Sequence, residues 1–245
     1  VGLGYGGLPL AVETAKAGFT TTGFDVKKEK VDSGNKGLNY IGDVADADLK
    51  KLVGQGMLVA TTDFSNIENV DLVAICVQTP LDADRHPDMS YVKAAAKSIA
   101  KHLHKGMMVT LESTSYPGST EEIVKPILES SGLKCGQDFY LGFSPERIDP
   151  GNPTYNTKNI PKVVGGLGAD AGEIISAMYE AVLEHKVFRA STPAVAEMAK
   201  MLENAYRNVN IGLINEFAIF CNEMGIDIWE VIEASKTKPF GYAPF

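Results

Sequence analysis

The sequence has few residues of the kinds that build disulfides or metal centres. Its 245 residues include three cysteines and four histidines, and Cys76, Cys135 and Cys221 lie far apart with no CxxC pair. This spacing argues against a disulfide framework and against a zinc site. We therefore expect a reduced protein without bound metal, in which each cysteine is a small buried side chain.

Long apolar runs and an excess of positive charge are also missing. No stretch approaches the roughly 18 apolar residues of a membrane span, and no signal peptide is recognisable. The formal net charge of −8 argues against a nucleic-acid partner but does not exclude an anionic small substrate, because a site needs only local donors. We expect a cytoplasmic protein that binds neither membrane nor nucleic acid.

What is present is an alternation of short β-branched apolar runs with helical patterns, which is typical of βαβ units. Strands are predicted near 20–25, 58–61, 70–77, 107–112, 139–143, 162–165 and 186–189. Helices are predicted at 8–17, 44–54, 89–103, 120–131 and 170–183. The predicted fold class is α/β, with a doubly wound, mainly parallel sheet.

From Ser191 the pattern changes to one long helix. Ser191 or Thr192 can cap it, and Pro193 suits its first position. It should run for about 32 residues, and a shorter helix at 228–235 should follow.

This change of pattern predicts two domains. Residues 1–190 would form a nucleotide-binding domain whose first strand is mostly missing, and residues 191–245 would begin a helical dimerisation region. The apolar residues of the long helix are not confined to one stripe, so we expect a homodimer or a higher homo-oligomer.

The first residues carry a dinucleotide-binding signature. Gly2, Gly4 and Gly7 form a GxGxxG pattern before the helix at 8–17, and Asp25 ends the next predicted strand. The glycines permit a tight turn and a close backbone approach to a pyrophosphate, which the helix N-terminus can bind. Asp25 can accept hydrogen bonds from a ribose diol and would repel a 2′-phosphate. The pattern therefore favours NAD over NADP as the cofactor.

Polar residues follow the next two strands. Gln78, Thr79 and Pro80 come after the first of them, and Glu112, Ser113 and Thr114 come after the second. Ligands of doubly wound sheets bind at the carboxyl ends of the strands, so these residues are placed to line a cofactor crevice. Turn formation alone is the alternative explanation for them.

An acid between two prolines follows the strand at 139–143. The segment 142–153 reads GFSPERIDPGNP, so Glu146 stands between Pro145 and Pro150. A carboxylate on a short rigid loop suits a site that must hold its geometry closely.

Lys200 and Asn204 lie four residues apart, on one face of the long helix, and Asn208 and Asn215 continue that face. An ammonium group beside an amide donor can form an oxyanion site. Hydrogen bonding between the helices of a dimer is the alternative, above all for Asn208 and Asn215.

Together these segments resemble the UDP-glucose/GDP-mannose dehydrogenase family over the whole chain. The matching segments are GLGYGGLPLA at 2–11, CVQTP at 76–80, ESTSYPGST at 112–120, GFSPERIDPGN at 142–152 and EMAKMLENAYRNVNIGLINE at 197–216. The resemblance implies an NAD-dependent enzyme that oxidises the C6 alcohol of a UDP-sugar to a carboxylate. Its two steps would pass through a cysteine thiohemiacetal and a thioester.

The resemblance also implies a role for each matching residue. Thr114 would orient the catalytic water and the cofactor, and Glu146 would be the general base. Lys200 and Asn204 would stabilise the oxyanion. Implied NAD contacts are Gly2, Gly4, Tyr5, Gly7, Leu8, Asp25, Lys30, Gln78, Thr79, Pro80, Ser113 and Thr114. Implied substrate contacts are Glu146, Arg147, Ile148, Asp149, Lys200, Asn204, Phe240, Gly241 and Tyr242.

Two departures from the family pattern affect activity and substrate. The family's nucleophilic cysteine lies in a Gly-Gly-His-Cys-like motif beyond a loop like that at 239–245, and this sequence stops first. The UDP-binding C-terminal domain would also be absent, so we expect residues 1–245 to be inactive alone. Pro150 stands where many UDP-glucose dehydrogenases have a glutamate. This points to UDP-N-acetylglucosamine, UDP-N-acetylgalactosamine or UDP-N-acetylmannosamine, with UDP-glucose as the alternative.

Two further interpretations stay open at this point. A β-hydroxyacid dehydrogenase also joins a dinucleotide-binding domain to a long helix with a Lys-x-x-x-Asn pair, but it would not explain the Glu146 loop. The chain could also be an NAD-binding and dimerisation module with no chemistry of its own.

We expect the chain to bind NAD more tightly than NADP, and Asp25→Ala to weaken NAD binding by about 1 to 2 kcal/mol, the scale of lost hydrogen bonds to a charged acceptor. Calorimetric titration of both dinucleotides measures this directly. Tighter binding of NADP would contradict the ribose assignment, since Lys27 and Lys28 could then hold the 2′-phosphate.

Overall fold

The computed structural model describes residues 1–42, 44–149, 152, 154–184 and 186–245. Pro150, on which the expected substrate class partly rests, lies outside the described residues. The chain divides into two compact units, Val1–Met198 and Ala199–Phe245. The domain boundary predicted at residue 190 stays a prediction.

In the first unit, strands and helices alternate along the chain as predicted. The strands are β1 Thr21–Phe24, β2 Leu58–Thr61, β3 Leu72–Ile75, β4 Met108–Leu111, β5 Tyr140–Phe143, β6 Val163–Gly166 and β7 Phe188–Ala190. The helices are α1 Gly7–Lys16, α2 Lys28–Asn35, α3 Asp46–Gly54, α4 Ser90–Ala100, α5 Lys125–Glu129 and α6 Ala169–Val182. A 3-10 helix spans Phe64–Asn69, and a π-helical turn at Thr120–Val124 leads into α5.

The strands form a mainly parallel arrangement, which confirms the predicted fold class. β1 pairs with β2, and β3 to β7 form a second sheet in chain order, parallel except between β5 and β6. The segment Val1–Gly2 lies between the two sheets. The Gly2 N–H donates to the Phe24 carbonyl at 2.7 Å, and the Cys76 N–H donates to the Val1 carbonyl at 2.7 Å.

Alternate residues of the central strands pack on opposite faces of the sheet. Val73 and Ile75 belong to a buried cluster with residues of α4 and α5, whereas Ala74 contacts a second cluster formed mainly by α6. This is the two-residue period of strands covered on both faces. The same period turns Thr110 of β4, and Glu112 beyond the strand end, towards α6.

Two local features were missed by the sequence patterns. Helix α2 buries only Val31 and Gly34, so it has too few apolar positions to show a helical period. The helix predicted at 120–131 begins with a π-helical turn, in which the Lys125 N–H donates to the Thr120 carbonyl. Pro126 has no N–H with which to continue the α-helical pattern, and this favours the wider turn.

The long helix α7, Pro193–Met224, has the 32 residues predicted and begins in the first unit. Glu197 in its second turn is fully buried. Its carboxylate accepts hydrogen bonds from the N–H of Gly118 (2.6 Å), the hydroxyl of Ser119 (2.9 Å), and the N–H and hydroxyl of Thr120 (2.9 and 2.6 Å). Glu197 thereby caps the π-helical turn and ties the segment 112–120 to the start of α7.

In the second unit α7 continues and is followed by α8, Ile228–Lys236. Asp227 caps α8 by accepting the Trp229 N–H at 3.0 Å. Large apolar side chains are exposed on this unit, namely Met201, Leu202, Tyr206, Val209, Ile211, Leu213, Phe217, Ile219, Phe220, Met224, Ile226, Trp229, Phe240 and Phe245. Within the part of the chain that the structure describes, every helix is too short or too polar to cross a bilayer.

Candidate functional site

A cavity of about 660 Å³ runs along the carboxyl ends of β1, β3 and β4 in the first unit. Residues far apart in the sequence meet there because parallel strands end at one edge of the sheet. The predicted site residues that line it are Gly2, Gly4, Tyr5, Asp25, Lys30, Gln78, Thr79, Ser113, Thr114 and Glu146.

The three glycines of the GxGxxG turn are constrained by different neighbours. A Cβ at Gly7 would lie 1.8 Å from the Gly2 carbonyl oxygen, and one at Gly2, where φ is +92°, would lie 2.7 Å from the Cys76 carbonyl oxygen. Both positions therefore need glycine for the fold itself. A Cβ at Gly4 would meet no described atom within 4 Å. The space beside Gly4 belongs to the cavity, where a pyrophosphate could approach the backbone.

Helix α1 presents its N-terminus to this turn. It begins at Gly7, and its N-cap residue, Gly6, makes no side-chain cap. A helix N-terminus is the positive end of the helix dipole, and the N–H groups before Leu8 are the ones left for an anion, because the Leu8 N–H donates to the Gly4 carbonyl and Pro9 has no N–H. Together with the open space at Gly4, they fit a bound phosphate group.

Asp25 is nearly buried at the end of β1, and its carboxylate is held by the backbone. Oδ2 accepts the Leu3 N–H and Oδ1 accepts the Lys27 N–H, both at 2.9 Å, and Lys30 Nζ lies 3.4 Å from Oδ2. Oδ2 accepts from both Leu3 and Lys30, whereas Oδ1 keeps a further lone pair with which Asp25 can still accept a hydrogen bond from a ribose hydroxyl. Because each oxygen of Asp25 also accepts a backbone N–H, replacement of Asp25 removes acceptors from the fold as well as from the ligand site.

Glu146 lies against the glycine-rich turn. If Gly6 carried a Cβ, that atom would lie 3.5 Å from the Cγ of Glu146. Its Oε1 accepts the N–H groups of Arg147 (2.7 Å) and Ile148 (2.9 Å). These bonds fix one carboxylate oxygen, and Oε2 lies 3.7 Å from the same Gly6 position. A carboxylate held in this way at a cavity wall is suited to accept a proton.

A buried charged cluster beside the cavity joins Glu112, which the sequence placed at the crevice, to Lys162 and Tyr179, which the sequence analysis missed. Glu112 lines the cavity and is 2% exposed. Lys162 Nζ donates to its Oε2 at 2.5 Å, and the Tyr179 hydroxyl donates to its Oε1. Lys162 Nζ also lies 4.9 Å from the centre of the Tyr179 ring. The available signal was the two-residue period of β4, which directs Glu112 to the face of the sheet that α6 covers.

The buried setting of this cluster changes the acidity of its members. Burial raises the pKa of Glu112 and places the pKa of Tyr179 well above its ordinary value. Burial by itself would lower the pKa of Lys162, but the nearby Glu112 and Glu146 carboxylates raise it. Lys162 therefore remains an ammonium group, paired with Glu112, and Tyr179 remains a neutral phenol.

Three of the predicted NAD contacts do not line the cavity. Gly7 packs on Gly2, and the Leu8 side chain is buried in the core while its N–H donates to the Gly4 carbonyl at 3.0 Å. Pro80 is exposed, and its carbonyl accepts the Asp88 N–H at 2.7 Å.

The three residues that follow Glu146 also do not line the cavity. Arg147 Nη1 donates to the Pro161 carbonyl at 2.8 Å, Ile148 is half-buried, and Asp149 is exposed. Their predicted contacts with a substrate stay predictions.

In the second unit, the predicted residues occupy α7 and the segment after α8. Lys200 is buried, and Asn204 is half-buried with its Oδ1 accepting from Arg207 Nη2 at 2.9 Å. The two side chains share one face of α7. Phe240 is exposed, Gly241 has a φ of +71°, and Tyr242 is half-buried. The roles expected for these residues also stay predictions.

Burial makes the Cys76 and Cys135 thiols poor nucleophiles. Burial raises the pKa of the Cys76 thiol to about 12 and also raises that of Cys135. Both groups are therefore protonated near neutral pH, and a thiol is far less nucleophilic than a thiolate. Cys221 is buried.

Asp82, Asp84 and His86 place three potential metal ligands within 4.8 Å of one another on an exposed loop. Asp82 Oδ1 accepts the N–H groups of Asp84 (2.9 Å) and His86 (2.8 Å). The carboxylate thus has a local role in forming the turn, and the cluster carries no metal assignment.

The glycine-rich turn at a helix N-terminus, the acid after β1 and the cavity along the strand ends define a dinucleotide-binding α/β domain. The NAD binding domain of the UDP-glucose/GDP-mannose dehydrogenase family matches residues 1–183, and the central domain of that family matches residues 194–245. The chain belongs to the UDP-glucose/GDP-mannose dehydrogenase family. This confirms the resemblance seen in the sequence and weighs against a β-hydroxyacid dehydrogenase.

Relatives of known name match over nearly the whole chain. It is 40% identical over 246 residues to the UDP-N-acetyl-D-glucosamine 6-dehydrogenase of Pseudomonas aeruginosa, covering 100% of this chain and 57% of the relative. The structure of the UDP-D-ManNAc dehydrogenase from Pyrococcus horikoshii is similar with a TM-score of 0.92 and 35% identity, over 98% of this chain and 57% of that one.

A third similar structure is a ternary complex of the GDP-mannose dehydrogenase of Pseudomonas aeruginosa. The TM-score is 0.90 and the identity 29%, over 97% of this chain and 56% of that one. The chain thus spans little more than half the length of the relatives it matches.

Two glycine variants should separate folding from cofactor binding. Gly7→Ala should lower the free energy of unfolding by about 3 kcal/mol or more, because the new methyl group would overlap the Gly2 carbonyl. Gly4→Ala should change that free energy by less than about 0.5 kcal/mol but weaken NAD binding at least about tenfold. Denaturant unfolding and calorimetry measure the two effects. Unchanged NAD affinity in Gly4→Ala would show that the space beside Gly4 is not the phosphate site.

Proposed function

We propose that this chain is the NAD-binding and central part of an enzyme that oxidises the C6 alcohol of a UDP-sugar to a carboxylate. The observation that carries this proposal is the cavity in which a phosphate-binding turn, the acid Asp25 and the carboxylate Glu146 meet. The substrates named for the relatives from Pseudomonas aeruginosa and Pyrococcus horikoshii support a UDP-N-acetylhexosamine. UDP-glucose is the second candidate, since a similar structure is a UDP-glucose dehydrogenase of Pyrobaculum islandicum.

Residues of the cavity match successive parts of NAD. Asp25 would accept hydrogen bonds from the adenosine ribose, and the N-terminus of α1 beside Gly4 would bind the pyrophosphate. The remaining part of the cofactor would then lie beside Ser113 and Thr114, at the end of β4. Bound NAD supplies the hydride acceptor that the oxidation of an alcohol requires.

The protein side chains would contribute proton transfer and charge stabilisation. Glu146 would accept a proton, and the exposed hydroxyl of Thr114 in the cavity would orient a water molecule. Lys200 and Asn204 would donate hydrogen bonds to the oxyanion that forms during the reaction. Arg147, Asp149 and the 240–242 segment would contact the nucleotide sugar.

We also infer a cytoplasmic location. The three cysteines are free, as is usual in a reducing compartment.

The activity can be tested with a protein extended to the length of the relatives. We expect it to form two NADH per UDP-N-acetylhexosamine and a uronic acid, and Lys200→Ala to lower kcat by about 10²-fold, the scale of one lost oxyanion donor. Absorbance of NADH and mass spectrometry of the sugar follow the reaction. Lys97→Ala, on the exposed face of α4, is the matched control and should keep full activity.

Residues 1–245 alone should form no NADH, because thioester chemistry needs an activated cysteine nucleophile. Steady NADH production by this chain would contradict the proposed mechanism. A single NADH per sugar from the extended protein would contradict the oxidation to a carboxylate.

We further propose that the second unit associates with another copy to give a homodimer or higher homo-oligomer. The proposal is supported by its exposed apolar side chains, including Phe220 at 61% and Trp229 at 72% exposure. Sedimentation at micromolar concentration should show an oligomer, and Phe220→Asp should shift it towards monomer. Lys97→Ala should leave the oligomer intact. A clean monomer of the unchanged chain would refute the proposal for these residues.

A further inference from the structure

We propose that Tyr40 is a positioning residue of the glycine-rich turn, and that its hydroxyl holds the Leu3–Gly4 peptide so that the Gly4 N–H is presented to a dinucleotide phosphate. The inference rests on the proposed binding of NAD and concerns a residue outside the predicted site.

Tyr40 reaches the glycine-rich turn from the segment 36–42, which follows α2. It is half-buried and lines the cavity, and its hydroxyl donates to the Leu3 carbonyl at 3.1 Å. Among the residues that the structure describes, no second group donates to this carbonyl oxygen. The neighbouring Ile41 is buried in the same core cluster as Leu3, and this holds the segment against the turn.

The Tyr40 hydroxyl keeps its proton at neutral pH. Burial, together with the nearby Asp25 carboxylate, raises the pKa of Tyr40 to about 12. The phenol therefore remains a hydrogen-bond donor to the Leu3 carbonyl under all conditions in which the cofactor would be bound.

The orientation of the Leu3 carbonyl determines the orientation of the Gly4 N–H. The two groups belong to one planar trans peptide, so they point in opposite directions and rotate together. Leu3 itself is held, because Asp25 Oδ2 accepts its N–H at 2.9 Å and its side chain packs on Gly23. Rotation of the Leu3–Gly4 peptide between these fixed neighbours is the freedom that the Tyr40 hydroxyl removes.

Glycine at position 4 makes this rotation inexpensive. A flipped peptide changes ψ of Leu3 and φ of Gly4, and glycine adopts φ values of either sign at similar cost. The flip would turn the Leu3 carbonyl oxygen to the side on which the Gly4 N–H now lies. A partial negative charge would then face a bound phosphate and weaken its binding.

The Gly4 N–H is available to a ligand. Within the described part of the chain it donates to no protein acceptor, whereas the Gly4 carbonyl accepts the Leu8 N–H. The hydrogen bond from Tyr40 also polarises the Leu3–Gly4 peptide, which strengthens its N–H as a donor. Tyr40 thus acts on the phosphate through the backbone.

The test compares the affinities of the chain for ADP and adenosine, which share the ribose and differ in the two phosphates. Calorimetry measures ADP binding, and NMR titration measures the weaker binding of adenosine. Tyr40→Phe keeps the ring and removes the hydroxyl, so ADP affinity should fall about fivefold to tenfold, the scale of one hydrogen bond. Adenosine affinity should stay the same, and NAD affinity should fall as much as that of ADP.

Asn35→Ala is the matched control for a loss of stability. Asn35 hydrogen-bonds both the N–H and the carbonyl of Ala60 at 2.8 Å, and it does not line the cavity. Its replacement should destabilise the chain in denaturant at least as much as Tyr40→Phe. The ratio of ADP affinity to adenosine affinity should nevertheless stay that of the unchanged chain.

A second measurement follows the Gly4 amide itself and needs no ligand. In a chain made with isotopically labelled glycine, the Gly4 resonance is identified by its loss in Gly4→Ala. This resonance should shift or broaden in Tyr40→Phe, because the peptide is no longer held in one orientation. The resonances of Gly106 and Gly132, which lie on turns outside the cavity, should not change.

The inference is overturned if Tyr40→Phe leaves ADP affinity unchanged, or if it weakens adenosine as much as ADP, which would place the hydroxyl on the ribose. It is also overturned if Asn35→Ala lowers the affinity ratio equally, or if the Gly4 resonance does not move in Tyr40→Phe. Failure of the proposed function is distinguishable, because the unchanged chain would then bind neither NAD nor ADP, whatever the Gly4 resonance shows.

Discussion

The close contact between Gly7 and Gly2 is the constraint on which the cavity depends. Helix α1 starts so near the Gly2 carbonyl that a Cβ at Gly7 would lie 1.8 Å from its oxygen. Gly2 in turn bonds to the end of β1, so the helix N-terminus is held across the strand ends. Glu146 packs against Gly6 of the same turn. The helix N-terminus that we propose to bind phosphate is therefore positioned by a backbone contact that only glycine permits.

Two acids of the cavity, Asp25 and Glu112, are each paired with a lysine. The two pairs differ in burial, and this decides whether the carboxylate can still bind a ligand. The Lys30 side chain is 32% exposed and 3.4 Å from Asp25, so the pair is partly solvated, and Asp25 Oδ1 keeps a lone pair for a ligand. Glu112 is deeply buried, with one oxygen bound by Lys162 and the other by Tyr179. Asp25 can thus hydrogen-bond a ligand directly, whereas both oxygens of Glu112 are already bound by protein donors.

Glu197 connects the cavity segment to the long helix. Its carboxylate caps the turn at Thr120 from inside the core, and this turn follows directly on the segment that carries Ser113 and Thr114. Glu197 belongs to the first unit, and its contacts hold the first turns of α7 there. A buried carboxylate with four donors is costly to displace, so the first turns of α7 are firmly attached within the first unit.

The sequence by itself determined the strand and helix alternation, the glycine-rich turn, Asp25 and the 32-residue helix. These depend on local periodicity and on turn and cap residues that neighbouring positions specify. The sequence did not predict helix α2, because this helix buries only Val31 and Gly34. Only the tertiary structure decided that Glu112 meets Lys162, 50 residues away, and Tyr179, 67 residues away. The partners of a buried charge depend on which strands and helices become neighbours, and no local pattern contains that information.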